Sequence, residues 1–171
     1  MTILNHDYSW SVWKHLTGEI VGGVRKVKSG NNVFIGMNAT ILMNTEIGDN
    51  VIIGAGSVVS GNVESNGVYA GTPARKLMKL DEHMEKWKAR EVEDAKGIAR
   101  MYYEQLHKKP PKDILPAYFW IFESDENALD PIYEDRMRLC GNYDQSLVTF
   151  RQHKAVYRDY DEFLKNVLKE M

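Results

Sequence analysis

The chain is 171 residues long, 43% hydrophobic and 27% charged, with a formal net charge of −2. That length fits one medium domain or one domain with an appendage, and the balanced charge gives no ground for a nucleic-acid or membrane-surface protein. A single cysteine, Cys140, excludes an internal disulfide and suits a reducing compartment. No apolar run reaches the roughly 18 residues of a membrane span, no basic-then-apolar leader opens the sequence, and the expected location is cytoplasmic.

Residues 1 to 5, MTILN, read as the end of a strand running into His6-Asp7-Tyr8-Ser9. Residues 10 to 24 carry Trp10, Trp13, Gly18, Gly22 and Gly23 and read as a loop that returns near Val24. From 29 to 64 the sequence falls into sixes: SGNNVF, IGMNAT, ILMNTE, IGDNVI, IGAGSV, VSGNVE. An aliphatic residue recurs at Ile35, Ile41, Ile47, Ile53 and Val59, with Gly behind it at Gly36, Gly48 and Gly54. Small or β-branched residues stand at Val33, Ala39, Thr45, Val51, Ser57 and Val63. A strict short period marks a parallel β-helix. Each unit supplies one short strand and one corner, and three units close a triangular coil. The aliphatic residues form interior ladders, while Asn and Gly take the φ > 0 that sharp corners need. Glu46, Asp49, Asn50 and Asn62 fall at other phases and face water. Ser29 occupies an aliphatic slot where the loop rejoins the prism.

After Val63 the pattern ends at the turn Glu64-Ser65-Asn66-Gly67. From Leu80 the sequence is charged and free of Pro, with Met84, Trp87, Ala95, Ile98 and Tyr102 at helical spacing. Asp81 is a candidate cap, and Lys109-Pro110-Pro111 stops this helix. Further helices are expected at about 114–123, 131–139, 144–154 and 160–170. Asp113, Asp130, Asp144 and Asp159 or Asp161 are candidate N-caps or near-caps, Pro131 fits a first helical position, and Gly141-Asn142 fits a helix end. The expected organisation is a β-helix domain at 1–79 and an α-helical extension at 80–171.

The segments NHDYS (5–9), NNVFIGMNATIL (31–42), IGDNVIIGAGSVV (47–59) and AGTPARKL (70–77) resemble the hexapeptide-repeat acyltransferases, whose fold is a left-handed parallel β-helix. Within that family the sequence is most similar to sugar and capsular-polysaccharide O-acetyltransferases. The motifs cover roughly the first 80 residues. WIFESDENALDPIYEDRM and LCGNYDQS in the tail resemble extensions on capsular-polysaccharide acetyltransferases. The resemblance implies a homotrimer that uses acetyl-CoA as donor, in the groove between adjacent β-helices, and a saccharide acceptor with no metal. It implies His6 as the catalytic base and Phe34 beside the thioester end of the cofactor. It also implies Ala55 and Ser60 along the pantetheine arm, Ala70, Gly71 and Thr72 at the adenosine diphosphate end, and Arg75 near the phosphates.

These residue types suit the chemistry. An alcohol is a poor nucleophile at neutral pH, and a neutral imidazole can take its proton as attack begins. The thioester oxygen then needs preorganised donors, and small residues at Ala55 and Gly56 let a cofactor approach the backbone. Each residue also has a plain structural role. His6 suits a surface loop, Arg75 and Lys76 suit solvated charges, Phe34 suits trimer packing, and Gly71 and Pro73 shape a turn. Adjacent side chains rarely meet, which argues against Asp7 orienting His6. Tyr102, Tyr103, Tyr118, Phe119, Trp120 and Phe122 fit a core between helices better than a sugar platform. His15, His83, His107 and His153 lack ligand spacing, and no hexad carries a His, which argues against a β-helix carbonic anhydrase. The sequence departs from the family pattern at the start, where only five residues precede His6, and at Gly61, where a lysine is usual. Two readings therefore stand: an acetyl-CoA-dependent O-acetyltransferase, or a truncated, catalytically impaired scaffold whose helical tail mediates assembly.

Overall fold

The structure is a computed structural model that describes residues 1–169. The chain divides into two compact units, Met1–Lys86 and Trp87 onward.

The first unit is a three-sided prism. Ten strands are β1 (Thr2–Ile3), β2 (Lys28–Ser29), β3 (Val33–Ile35), β4 (Thr40–Ile41), β5 (Glu46–Ile47), β6 (Val51–Ile53), β7 (Val58–Val59), β8 (Asn62–Val63), β9 (Gly67–Gly71) and β10 (Ala74–Lys79). They form three sheets, ordered β1-β4-β7, β2-β5-β8 and β3-β6-β9-β10. Every pairing is parallel except the closing β9–β10 hairpin. The chain thus visits each face in turn and stacks one coil on the last, as the six-residue period predicts.

The interior holds both expected ladders. Ile41, Ile47, Ile53 and Val59 are buried, and so are Ala39, Thr45, Val51 and Ser57. The buried hydroxyls are satisfied locally: Thr45 donates to Leu42 O at 2.6 Å and Ser57 to Gly54 O at 2.7 Å. Glu46, Asp49 and Asn62 face water, with Asn50 half-buried. Gly36 is required by stacking, because a Cβ there would lie 2.4 Å from Ala55 N on the next coil. Asn32, Asn38, Asn44, Asn50 and Asn66 all have positive φ at corners.

The period is not uniform. Val33 pairs with Val51 and Thr40 with Val58, an offset of 18 residues, but Ile47 pairs with Val63, an offset of 16. The four-residue corner at 42–45 becomes two residues, Ser60-Gly61, one coil on. Val63 therefore fills the aliphatic slot below Ile47, not the small-residue slot that the strict hexad gives it.

The segment between β1 and β2 replaces one corner. It contains a helix absent from the sequence reading, α1 (Trp10–Thr17), closed by Gly18 at φ 80, whose N–H donates to Lys14 O at 2.8 Å.

α2 (Leu80–Leu106) leads into the second unit. Its Ala95 and Ala99 are buried, whereas Met84 and Trp87 lie exposed despite their helical phase. The second unit contains α3 (Pro131–Arg138), α4 (Tyr143–Gln152) and α5 (Tyr160–Lys169). Glu170, the end of the expected 160–170 helix, lies outside the described residues. Asp130 caps α3 by accepting from Ile132 N at 3.0 Å, with Pro131 in the first turn. Asp159 accepts from Glu162 N at 2.8 Å at the head of α5. Asp113 and Asp144 lie in the first turns of their helices, just after the N-cap positions that Pro111 and Asn142 hold. The expected 114–123 helix is instead two short 3-10 turns, Lys112–Ile114 and Phe119–Ile121. Pro116 disfavours helical backbone at Leu115, which sits at φ −117, ψ 44. Of the expected aromatics, Phe119 and Phe122 lie in this unit's core with Tyr118 and Trp120 packed against it, while Tyr102 and Tyr103 are half-buried outside that cluster: Phe119 stacks on Tyr133 with centroids 4.6 Å apart, and Phe122 packs on Tyr160 and Phe163.

Candidate functional site

The three edges of the prism sort the candidate residues. One edge, between the β3-β6-β9 face and the β1-β4-β7 face, carries the corners 36–39 and 54–57. Ala55 and Gly56 are exposed there, and Gly56 N donates to Met37 O at 2.8 Å. The end of β9 reaches the same edge. Gly71 N donates to the Ser57 hydroxyl at 3.2 Å, and the Thr72 hydroxyl donates to Gly56 O at 3.3 Å. Gly71 has φ 104, and the Thr72–Pro73 peptide is cis. β10 then returns antiparallel, setting Arg75 opposite Ala70. The Arg75 guanidinium is exposed and donates to Ala74 O at 3.0 Å. The fold thus brings Ala55, Ala70, Gly71, Thr72 and Arg75 together. The strip of small, mostly exposed residues ends in a cation, which can pair with an anionic group.

A second edge, between the β1-β4-β7 and β2-β5-β8 faces, carries the excursion after β1 and the corners 42–45 and 60–61. His6 stands where the excursion leaves, and Ser60 lies exposed on the same edge two coils on, about 10 Å along the prism at strand spacing. His6 is pinned through its backbone. It bridges Val24 in antiparallel fashion, and Arg25 N donates to Asn5 O at 2.9 Å. Its Nδ1 lies 2.6 Å from Asn5 Oδ1. Asp7 is engaged elsewhere: it accepts from Ser9 N at 2.9 Å, and hydrogen bonds from the Ser9 side chain and amide hold its carboxyl below the ordinary range.

Phe34 belongs to neither edge. It points outward from β3, is 64% exposed, and stands beside Ile52 in the ladder. Within one chain the Ala55–Arg75 strip and His6 are separated by the β1-β4-β7 face. Sequence reasoning missed Asn5. The signal was its place beside His6 in NHDYS, where only Asp7, on the other side, was weighed as a partner for the ring. Among the described residues no group of three or more His, Cys, Asp or Glu is placed to hold a metal.

Residues 30–61 match the family model of the bacterial transferase hexapeptide (six repeats). The chain is 41% identical over 58 residues to the proposed lipopolysaccharide biosynthesis O-acetyl transferase WbbJ of Escherichia coli (strain K12), covering 34% of this chain and 30% of that protein. It is 43% identical over 53 residues to the galactoside O-acetyltransferase of the same organism, covering 31% and 26%. A solved maltose O-acetyltransferase from Clostridium difficile 630 is 35% identical, covering 46% of this chain and 42% of its own, with a TM-score of 0.41. The matched stretch spans less than a third of either Escherichia coli relative. Residues 30–61, the stretch that carries the repeat and most of its interior ladders, thus match the hexapeptide of the bacterial transferases, and the chain is similar over about a third of its length to O-acetyltransferases.

Proposed function

We propose that this chain is a cytoplasmic, acetyl-CoA-dependent O-acetyltransferase whose acceptor is a saccharide hydroxyl, on a precursor of capsular or other surface polysaccharide. The working unit is a homotrimer of left-handed β-helices. His6 is the general base. The donor lies along Ala55, Ser60, Ala70, Gly71, Thr72 and Arg75, with Phe34 near the reacting end. Residues 1–79 form the transferase domain and 80–171 a helical extension.

One observation carries the reading: an exposed imidazole and an exposed strip of small residues ending in a cation occupy two edges of the same short prism. A groove between adjacent prisms would set the His6 edge of one chain against the Ala55–Arg75 edge of the next. In the reaction the His6 Nε2 takes the acceptor hydroxyl proton as that oxygen bonds to the acetyl carbon. The carbon–sulfur bond breaks, and the proton returns to the departing thiolate. Similarity to a galactoside O-acetyltransferase and to an O-acetyl transferase of lipopolysaccharide biosynthesis favours a sugar acceptor.

The test is calorimetric titration of the full chain with acetyl-CoA, with the assembly sized on the same sample, followed by thiol release with sugar acceptors. Saturable binding weakened by Arg75→Ala but not by His6→Ala is expected. His6→Ala should lower turnover about 10²–10⁴-fold. Full turnover in His6→Ala would sink the assignment of the base. A well-folded trimer that ignores acetyl-CoA would leave the scaffold reading in its place.

A further inference from the structure

We infer that Asn5 is a positioning residue: its side-chain carbonyl accepts the His6 Nδ1–H and so leaves Nε2 unprotonated and able to take a proton. The inference rests on the reading of His6 as general base.

The observations are local and mutually consistent. Asn5 Oδ1 lies 2.6 Å from His6 Nδ1, the length of a strong hydrogen bond. A carbonyl oxygen can only accept, so this contact requires the proton on Nδ1. A neutral imidazole carries one N–H, and fixing it on Nδ1 fixes the lone pair on Nε2. The adjacency that would normally keep two neighbouring side chains apart is overcome by the backbone. Asn5 O accepts from Arg25 N at 2.9 Å, and His6 bridges Val24, so both residues are held at the root of the excursion. The adjacent carboxylate, Asp7, takes its hydrogen bond from Ser9 and meets the ring only through charge. Asn5 also lines a cavity of about 420 Å³ with Ile3, Val24, Arg25, Lys26 and Val27. Amide orientation decides the matter. If Asn5 instead presented its NH2, the Nδ1 lone pair would accept and Nε2 would carry the proton, the wrong tautomer for a base.

The experiment is nitrogen-15 NMR of ring-labelled histidine in the full chain, with His6 assigned from the spectrum that His6→Gln loses. It is run above the titration of the ring on the natural chain, Asn5→Ala and Asn5→Asp. The natural chain should show the Nδ1–H tautomer, Asn5→Asp should keep it, and Asn5→Ala should shift the population to Nε2–H. Steady-state turnover of a sugar acceptor should then fall about ten-fold in kcat for Asn5→Ala, with the KM for acetyl-CoA unchanged, and recover in Asn5→Asp. An Nε2–H tautomer in the natural chain overturns the inference, and so does an Nδ1–H tautomer that survives Asn5→Ala. The tautomer is read without turnover. If it behaves as expected while His6→Ala keeps full activity, the base assignment fails and the Asn5–His6 bond stands.

Discussion

At the scale of single residues, the corner asparagines do two things at once. Asn32, Asn50 and Asn66 sit at φ 53, 56 and 59, and their side chains chain together, Asn32 Nδ2 to Asn50 Oδ1 at 2.9 Å and Asn50 Nδ2 to Asn66 Oδ1 at 3.1 Å. An L residue pays sterically for that backbone, Asn least among those with a side chain. Asn50→Gly removes the ladder bonds but fits the backbone, whereas Asn50→Ala removes the bonds and strains the corner. The expected order of stability is natural chain, then Asn50→Gly, then Asn50→Ala, with the last about 1–3 kcal/mol down. Urea midpoints of the three proteins check it, and Asn50→Ala outlasting Asn50→Gly would refute it. Asp7 gives a pH signature at the same scale. Its carboxyl is held below its ordinary value by Ser9, so the stabilisation is present above the ordinary value and is lost as pH falls through the lowered one. Hydrogen exchange at Ser9 should therefore accelerate in that acidic window, and Asp7→Asn should remove the dependence.

Among elements, the coils depend on interior ladders more than on any hydrogen bond to solvent-facing groups. Ile53 is fully buried between Ile35 and Tyr69 in the parallel register. Ile53→Ala should cost about 2–5 kcal/mol, read as a fall in the thermal midpoint of the β-helical transition. An unchanged midpoint would mean the coils do not melt through this ladder. The ladders were legible because every aliphatic hit carries the same information as the next. The shortened corner at Ser60-Gly61 was not, because corner length is set by turn geometry and leaves the face order intact. α1 was hidden by the same glycines that mark a loop. Gly18 is its terminating residue, a signal readable as a stop as easily as a break. The 114–123 segment failed through Pro116, whose effect on Leu115 outweighs the apolar spacing around it. The candidate site was half legible. Motif positions found His6 and the Ala55–Arg75 strip, but only the fold puts them on separate edges, and only side-chain geometry finds Asn5.

At the scale of the whole molecule, the β-helical unit exposes a series of large apolar side chains. No residue of α1 is buried, and Trp13 and Leu16 are 51% and 76% exposed. Val12, Ile20, Val21 and Val24 extend the patch along the excursion, and Phe34 stands out from the next face. Contiguous exposure of this kind marks a contact surface. A trimer with prisms side by side would cover it and would also close the distance between the two edges that hold the candidate site. Trp13→Lys combined with Leu16→Lys should therefore convert the proposed trimer to monomer in sedimentation, with the far-ultraviolet spectrum of the coils retained because neither side chain is buried in its own chain. Acetyl-CoA binding should fall with the assembly. The two measurements separate two kinds of site. If the double variant is monomeric and binds acetyl-CoA as the natural chain does, the donor strip is complete within one prism, and the neighbour supplies at most the acceptor side. If binding and assembly are lost together, the groove between chains is the site. The exposed apolar excursion is then what holds the catalytic edge of one prism to the donor edge of another.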